Sequence, residues 1–137
     1  MELHIFRRGK EFETREKSEW LTLDDGYQAL FEKTIPTAPG RRGRIDVLIQ
    51  EKNGSLTIIE IKSTNWDKIK PYRIRQNVLR HIRQVLSYLT YFHEKGIDVC
   101  LAICYPCAPS SKKTRLAIEQ LFESKWVQVV WTNERET

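Results

Sequence analysis

Apolar and polar residues change period several times along the chain, and each change marks an element. Residues 55–62 alternate. Leu56, Ile58, Glu60 and Lys62 share one face of an extended segment, and Thr57, Ile59 and Ile61 share the other. Residues 44–50 form a second strand, and Asn53-Gly54 between the two is a tight-turn pair, so the spacing predicts a hairpin. From 74 to 95 the period lengthens. Val78, Ile82, Val85, Leu89 and Phe92 recur at three and four residues, which predicts one long helix that Gly96 stops. Residues 99–105 are a continuous apolar run, as in a strand covered on both faces. Ser110 and Ser111 can cap a helix reaching about residue 124, with Leu116, Ile118, Leu121 and Phe122 apolar, and residues 126–131 form a last strand.

The N-terminal part is less regular. Residues 1–6 suit a short strand, and residues 10–21 a charged helix anchored by Phe12 and Trp20. Residues 27–35 fit two periods. Tyr27, Leu30 and Phe31 have helical spacing behind an Asp25/Gln28 capping box, whereas Tyr27, Ala29, Phe31 and Ile35 line one face of a strand. The strand is preferred, with Pro36, Pro39 and Gly40 forming a loop that turns the chain into a hairpin. The predicted class is α/β: a mixed central sheet flanked by helices.

At 137 residues the chain fits one domain, 1–137. Its 40% hydrophobic and 30% charged residues match an ordinary soluble globular protein. No apolar run approaches about 18 residues and no secretory pattern opens the chain, so a cytoplasmic protein without membrane contact is expected. Lys and Arg exceed Asp and Glu by 23 to 18, which favours an anionic partner. The excess is local: Lys68, Lys70, Arg73, Arg75, Arg80 and Arg83 stand against Asp67 alone. With Trp66 and Tyr72 interleaved, this segment predicts a surface for phosphates and unstacked bases, and Arg41, Arg42 and Arg44 flank the Asp46 strand from the other side. A solvated basic face is the plainer alternative. Cys100, Cys104 and Cys107 form neither a disulfide framework nor a common zinc pattern, and Cys100 is expected to be a small buried hydrophobe. His81 is expected as a half-exposed helix residue, and no covalent nucleophile is evident among the histidines, serines and cysteines.

The chemistry gathers at the first hairpin. Asp46 lies inside the apolar run 45–49, and Glu60 interrupts the most apolar stretch of the next strand. A carboxylate buried without a partner costs several kcal/mol, and a hard cation such as Mg²⁺ or Mn²⁺ is the natural partner for two of them. Lys62, one strand-step beyond Glu60 on the same face, can orient or deprotonate a water beside a phosphate. The bland alternative makes Asp46 a turn-proximal acid and Glu60 and Lys62 a solvated strand face.

Arg44-Ile-Asp46-Val-Leu-Ile and Ile58-Ile-Glu60-Ile-Lys62-Ser63-Thr64 resemble the core motif of the PD-(D/E)xK nuclease superfamily, with Ile45 where the motif has proline. Gln84-Val-Leu-Ser-Tyr88, placed 22 residues after Lys62, resembles the Gln-x-x-x-Tyr signature of its RecB-like exonuclease branch. The resemblance spans roughly residues 10–105. It implies a restriction-endonuclease-like core of helix, three-stranded meander, helix and strand. It implies a metal-dependent phosphodiesterase, with Asp46, Glu60 and Lys62 catalytic, Gln84 and Tyr88 lining the cleft and Arg80 meeting a phosphate. A further metal-binding acid is implied on the first helix, where Glu11, Glu13, Glu16 and Glu19 compete and Glu16 is preferred. The iron–sulfur cluster of some members is not expected, because none of the three cysteines precedes the core. DNA is favoured over RNA as partner by the resemblance alone. RNA or tRNA cleavage, or an inactive nucleic-acid-binding subunit of a larger nuclease, are the alternatives, and a homodimer or a partner subunit is compatible with either.

Overall fold

The computed structural model describes residues 27–135. The segments 1–6 and 10–21, with Glu16 and the competing glutamates, lie outside the described residues.

Residues 27–35 are extended. They belong to β1 (Tyr27–Ala38), which pairs antiparallel with β2 (Arg41–Glu51). The strands continue almost to the turn, so the loop predicted around Pro36 shrinks to Pro39-Gly40, with Gly40 at φ 75. Pro36 is tolerated because, among the described residues, β1 is an edge strand, and the register slips between Pro36 and Ala38. The β2–β3 hairpin turns where Asn53-Gly54 predicted, with Gly54 at φ 90 and its N–H donating to the Glu51 carbonyl at 3.0 Å. β3 (Leu56–Ile61) pairs antiparallel with β2 and parallel with β4 (Val99–Tyr105), and β4 pairs parallel with β5 (Val127–Trp131). The sheet is therefore mixed, in the order β1-β2-β3-β4-β5.

The helix predicted over 74–95 is two helices, α1 (Pro71–Leu86) and α2 (Leu89–Glu94). Pro71 opens α1 in the first turn, where its missing N–H has no partner to lose. The break has a local cause. The Gln84 carbonyl, which the Tyr88 N–H would use in a continuous helix, accepts the Ser87 hydroxyl at 2.6 Å, and the Tyr88 N–H turns to the Val85 carbonyl at 3.2 Å. Ser111 caps α3 (Lys112–Glu123) as predicted, accepting the Thr114 N–H. A short α4 (Thr132–Arg135) ends the described chain.

Two apolar clusters sandwich the sheet. Ile45, Leu48, Leu56 and Ile58 pack with Val78, Ile82 and Val85 of α1, Phe92 of α2 and Ile118 and Phe122 of α3. Val47, Ile49, Ile59, Ile61, Ala102 and Cys104 form the second cluster, drawn among the described residues from strands alone. The alternation predicted for β3 holds: Leu56 and Ile58 fall in one cluster, Ile59 and Ile61 in the other. Cys100 departs from expectation. It is exposed, because it precedes Leu101, where pairing with β5 begins, and Cys104 is the buried cysteine. Among the described residues no helix is long and apolar enough to cross a membrane.

Candidate active site

The alternation of β2 breaks at Asp46. Ile45 and Leu48 are three residues apart yet share the helix-side cluster, and on β1 the residue falling opposite Asp46, Glu32, has φ 54. Regular pairing of β2 with β3 runs only from Val47↔Ile59 to Gln50↔Leu56. Beyond it, side chains replace the ladder. The Ile61 N–H donates to Asp46 Oδ2 at 2.9 Å, and the Asp46 N–H donates to Glu60 Oε1 at 3.4 Å. Both carboxylates are buried, Asp46 8% and Glu60 1% exposed. The distortion thus brings two acids together inside an apolar sheet.

Lys62 follows directly. Its N–H donates to the Cys104 carbonyl at 2.9 Å, extending the parallel pairing by one residue past β3, and its ammonium donates to Gln84 Oε1 on α1. The helix break sets Tyr88 four residues further on. Its ring is buried and its hydroxyl donates to the Arg44 carbonyl at 2.8 Å. Gly43 makes that approach possible. A Cβ there would stand 2.7 Å from Cε1 of Tyr88 and 2.7 Å from Cγ2 of Thr37. Gly43 was not singled out from sequence. The available signal was a glycine interrupting Arg41-Arg42-Gly43-Arg44 beside a strand, a common mark of close backbone approach.

Electrostatics follow from burial. The Glu60 carboxyl is pushed up to about 8, first by loss of water, then by the nearby Asp46 carboxylate, with Lys62 pulling the other way. The Tyr88 hydroxyl is raised, by burial first and Glu60 second. A buried acid pair of this kind fits a hard divalent cation, whose charge would stabilise both ionised carboxylates. Among the described residues no third His, Cys, Asp or Glu completes a metal-binding cluster.

Asp46, Glu60, Lys62, Gln84 and Tyr88 all line one open cleft of about 530 Å³, with Arg42, Gly43 and Arg44 on its β2 side. Of the cations that the sequence set beside substrate, Arg42 and Arg44 stand in that lining, the Arg44 guanidinium 3.8 Å from Glu32. Lys68, Lys70, Arg73, Arg75 and Arg80 are exposed but do not line it; Arg80 donates to Asn77 Oδ1 at 2.7 Å, and Arg75 borders a groove between α1 and α3. Two expectations are corrected. Trp66 offers no face to a base: its indole is buried, edge-on to His81 and Tyr105 at 5.9 and 5.2 Å. Tyr72 is 72% exposed, with the Arg73 guanidinium 5.8 Å from its ring centroid. His81 is likewise buried, because three residues after Val78 and four before Val85 it falls on the inward row of α1. Its Nδ1 meets the Tyr105 hydroxyl at 2.7 Å, and burial, then Lys62 and Arg80, lower it to about 4, so it stays neutral at physiological pH.

No family model and no curated protein matches the chain. Among solved structures, the chain is similar to EndoMS in complex with double-stranded DNA, at TM-score 0.49 and 23% identity over 78% of this chain and 36% of that one. It is also similar to a repair endonuclease from Pyrococcus abyssi, at TM-score 0.45 and 21% identity over 78% of this chain and 38% of that one. The chain thus spans little more than a third of the length of each. Its own meander β1–β3, helix α1 and parallel strand β4, with helices against the sheet, make an α/β core on a mixed sheet, the element order that the motif resemblance implies.

Proposed function

We propose that the protein is a metal-dependent nuclease that hydrolyses phosphodiester bonds of nucleic acid, DNA being favoured over RNA by the motif resemblance. The observation that carries this reading is the joining of a buried Asp46–Glu60 pair to the Lys62 ammonium, itself held by Gln84, in one open cleft. Asp46 and Glu60 would hold Mg²⁺ or Mn²⁺, with an acid such as Glu16 from the N-terminal segment completing the set. The cation, when bound, supplies charge for the developing oxyanion and acidifies a bound water. Lys62 orients the attacking water or takes its proton, and Gln84 fixes the ammonium in the direction of the cleft. Tyr88 locks the Arg44 backbone, which places the Arg44 side chain at the rim for a phosphate. The contacts of Gln84 and Tyr88 with this centre support placing the chain near the RecB-like branch.

Plasmid, single-stranded DNA and total RNA, each incubated with the protein and Mg²⁺ or Mn²⁺, test the reading and name the substrate. Cleavage is expected with either cation, to stop on chelation, and to be lost in Asp46→Ala. An Asp46→Ala protein that cuts as well as the parent would sink the assignment.

A further inference from the structure

The cleft that holds the two carboxylates does not end at Arg42. A second cleft of about 670 Å³ opens between the tip of the β1–β2 hairpin and α2, and Thr37 and Arg42 line both. Pro36 and Pro39 form one wall of it, and Tyr91 and Glu94 the other, with Arg41 and Arg42 exposed on the hairpin. The two clefts therefore make one groove, bounded by β1–β2 on one side and by the α1–α2 row Gln84, Tyr88, Tyr91 on the other.

We propose that this second cleft seats an unpaired nucleotide next to the phosphodiester held at Asp46 and Glu60, an inference that rests on the nuclease reading of the first cleft. The chemistry of the lining matches the parts of a nucleotide. Arg41 and Arg42 stand beside the junction between the clefts, where the phosphate linking the two nucleotides would pass. Tyr91 and the two prolines give the base ring an apolar and aromatic wall. The Tyr91 ring is held in place, edge-on to Phe92 at 5.1 Å and with the Lys95 ammonium 4.8 Å from its centroid. Glu94 repels a phosphate from the α2 wall and can accept a hydrogen bond from an exocyclic amine. A base inside a duplex is stacked on both faces, so only an unstacked one reaches such a wall. The substrate then carries an unpaired nucleotide at this position, in a single strand or at a break in pairing.

The test is binding without cleavage. The whole chain is titrated, with no divalent cation, into a short single-stranded oligonucleotide carrying 2-aminopurine, and into a blunt duplex of the same sequence. Quenching of the single strand and weaker, unquenched binding of the duplex are expected. Tyr91→Leu keeps the apolar packing of α2 but removes the ring face, and should weaken single-strand binding about tenfold and abolish the quenching, whereas Tyr91→Phe keeps both. Ala38→Trp fills the cleft from the hairpin side, leaves every residue of α2 unchanged, and should weaken single-strand binding as Tyr91→Leu does. Parent-like affinity and quenching in both Tyr91→Leu and Ala38→Trp would overturn the subsite. Failure of the nuclease reading shows separately, as absence of cleavage with Mg²⁺ or Mn²⁺ while Tyr91-dependent quenching persists.

Discussion

Two side chains of the proposed centre, Lys62 and Glu60, respond to different perturbations. Lys62 sits where its ammonium bonds Gln84 at the edge of the cleft. Lys62→Met removes the charge and the proton acceptor at similar length, and should lower turnover on the order of 10²-fold or more. Lys62→Arg restores charge but cannot act as a base, so it should recover only part of the loss. Substrate affinity should change little in either variant, because the role proposed for the lysine is on the transition state. Parent-like turnover in the Met variant would leave Lys62 a spectator. Glu60 governs the pH response. Burial and Asp46 raise its carboxyl from 4.5 to about 8, so between these values the folded chain keeps a proton that the unfolded chain releases. Its stabilising contribution is complete below 4.5 and is lost as pH rises to about 8. The melting temperature of the metal-free parent should therefore fall more across that window than that of Glu60→Gln. Mg²⁺ or Mn²⁺ should raise it most at the upper end, where less of the binding energy is spent on expelling the proton. Parallel melting profiles of parent and Glu60→Gln would show that Glu60 does not titrate there.

At the scale of elements, the site depends on two local irregularities. One is the break between α1 and α2, which sets Tyr88 against β2 instead of in the next turn of a straight helix. The other is the absence of a side chain at Gly43. Gly43→Ala places a Cβ 2.7 Å from the Tyr88 ring, and a buried ring cannot move aside freely. The substitution should destabilise the fold by about 1–3 kcal/mol, the usual range for overpacking, and lower turnover by shifting Tyr88 away from the Arg44 carbonyl. A melt and a turnover assay on the same variant check both. Unchanged melting would mean that the hairpin yields to the added methyl, and the ring contact would then not be a constraint.

Over the described residues, the basic segment 68–75 stands apart from the cleft, whereas Arg42 and Arg44 line it. Lys68, Lys70, Arg73 and Arg75 lie outside the lining of the cleft, so any part they take is long-range attraction or contact with a flanking stretch of substrate. Replacing Arg73 and Arg75 by Ala should weaken binding at low salt and reduce its salt slope by about 1.5–2, with turnover at saturation unchanged. An unchanged slope would remove the segment from the interface. Period and turn chemistry were enough to predict the β2–β3 hairpin, the faces of β3 and the cap of α3, because each depends on neighbours a few residues away, and the predicted hairpin turn returns Glu60 to Asp46 across 14 residues. Tertiary contact decided the rest. Trp66 and His81 became core because α1 turns His81 inward and Tyr105 offers it a hydroxyl, 24 residues away. Cys100 became exposed because β5 begins pairing one residue later. The need for glycine at 43 expresses a packing event, Tyr88 against β2 across 44 residues of chain. A local pattern fixes which face a residue takes within its own element; which neighbour that face meets is set by the assembled sheet and helices.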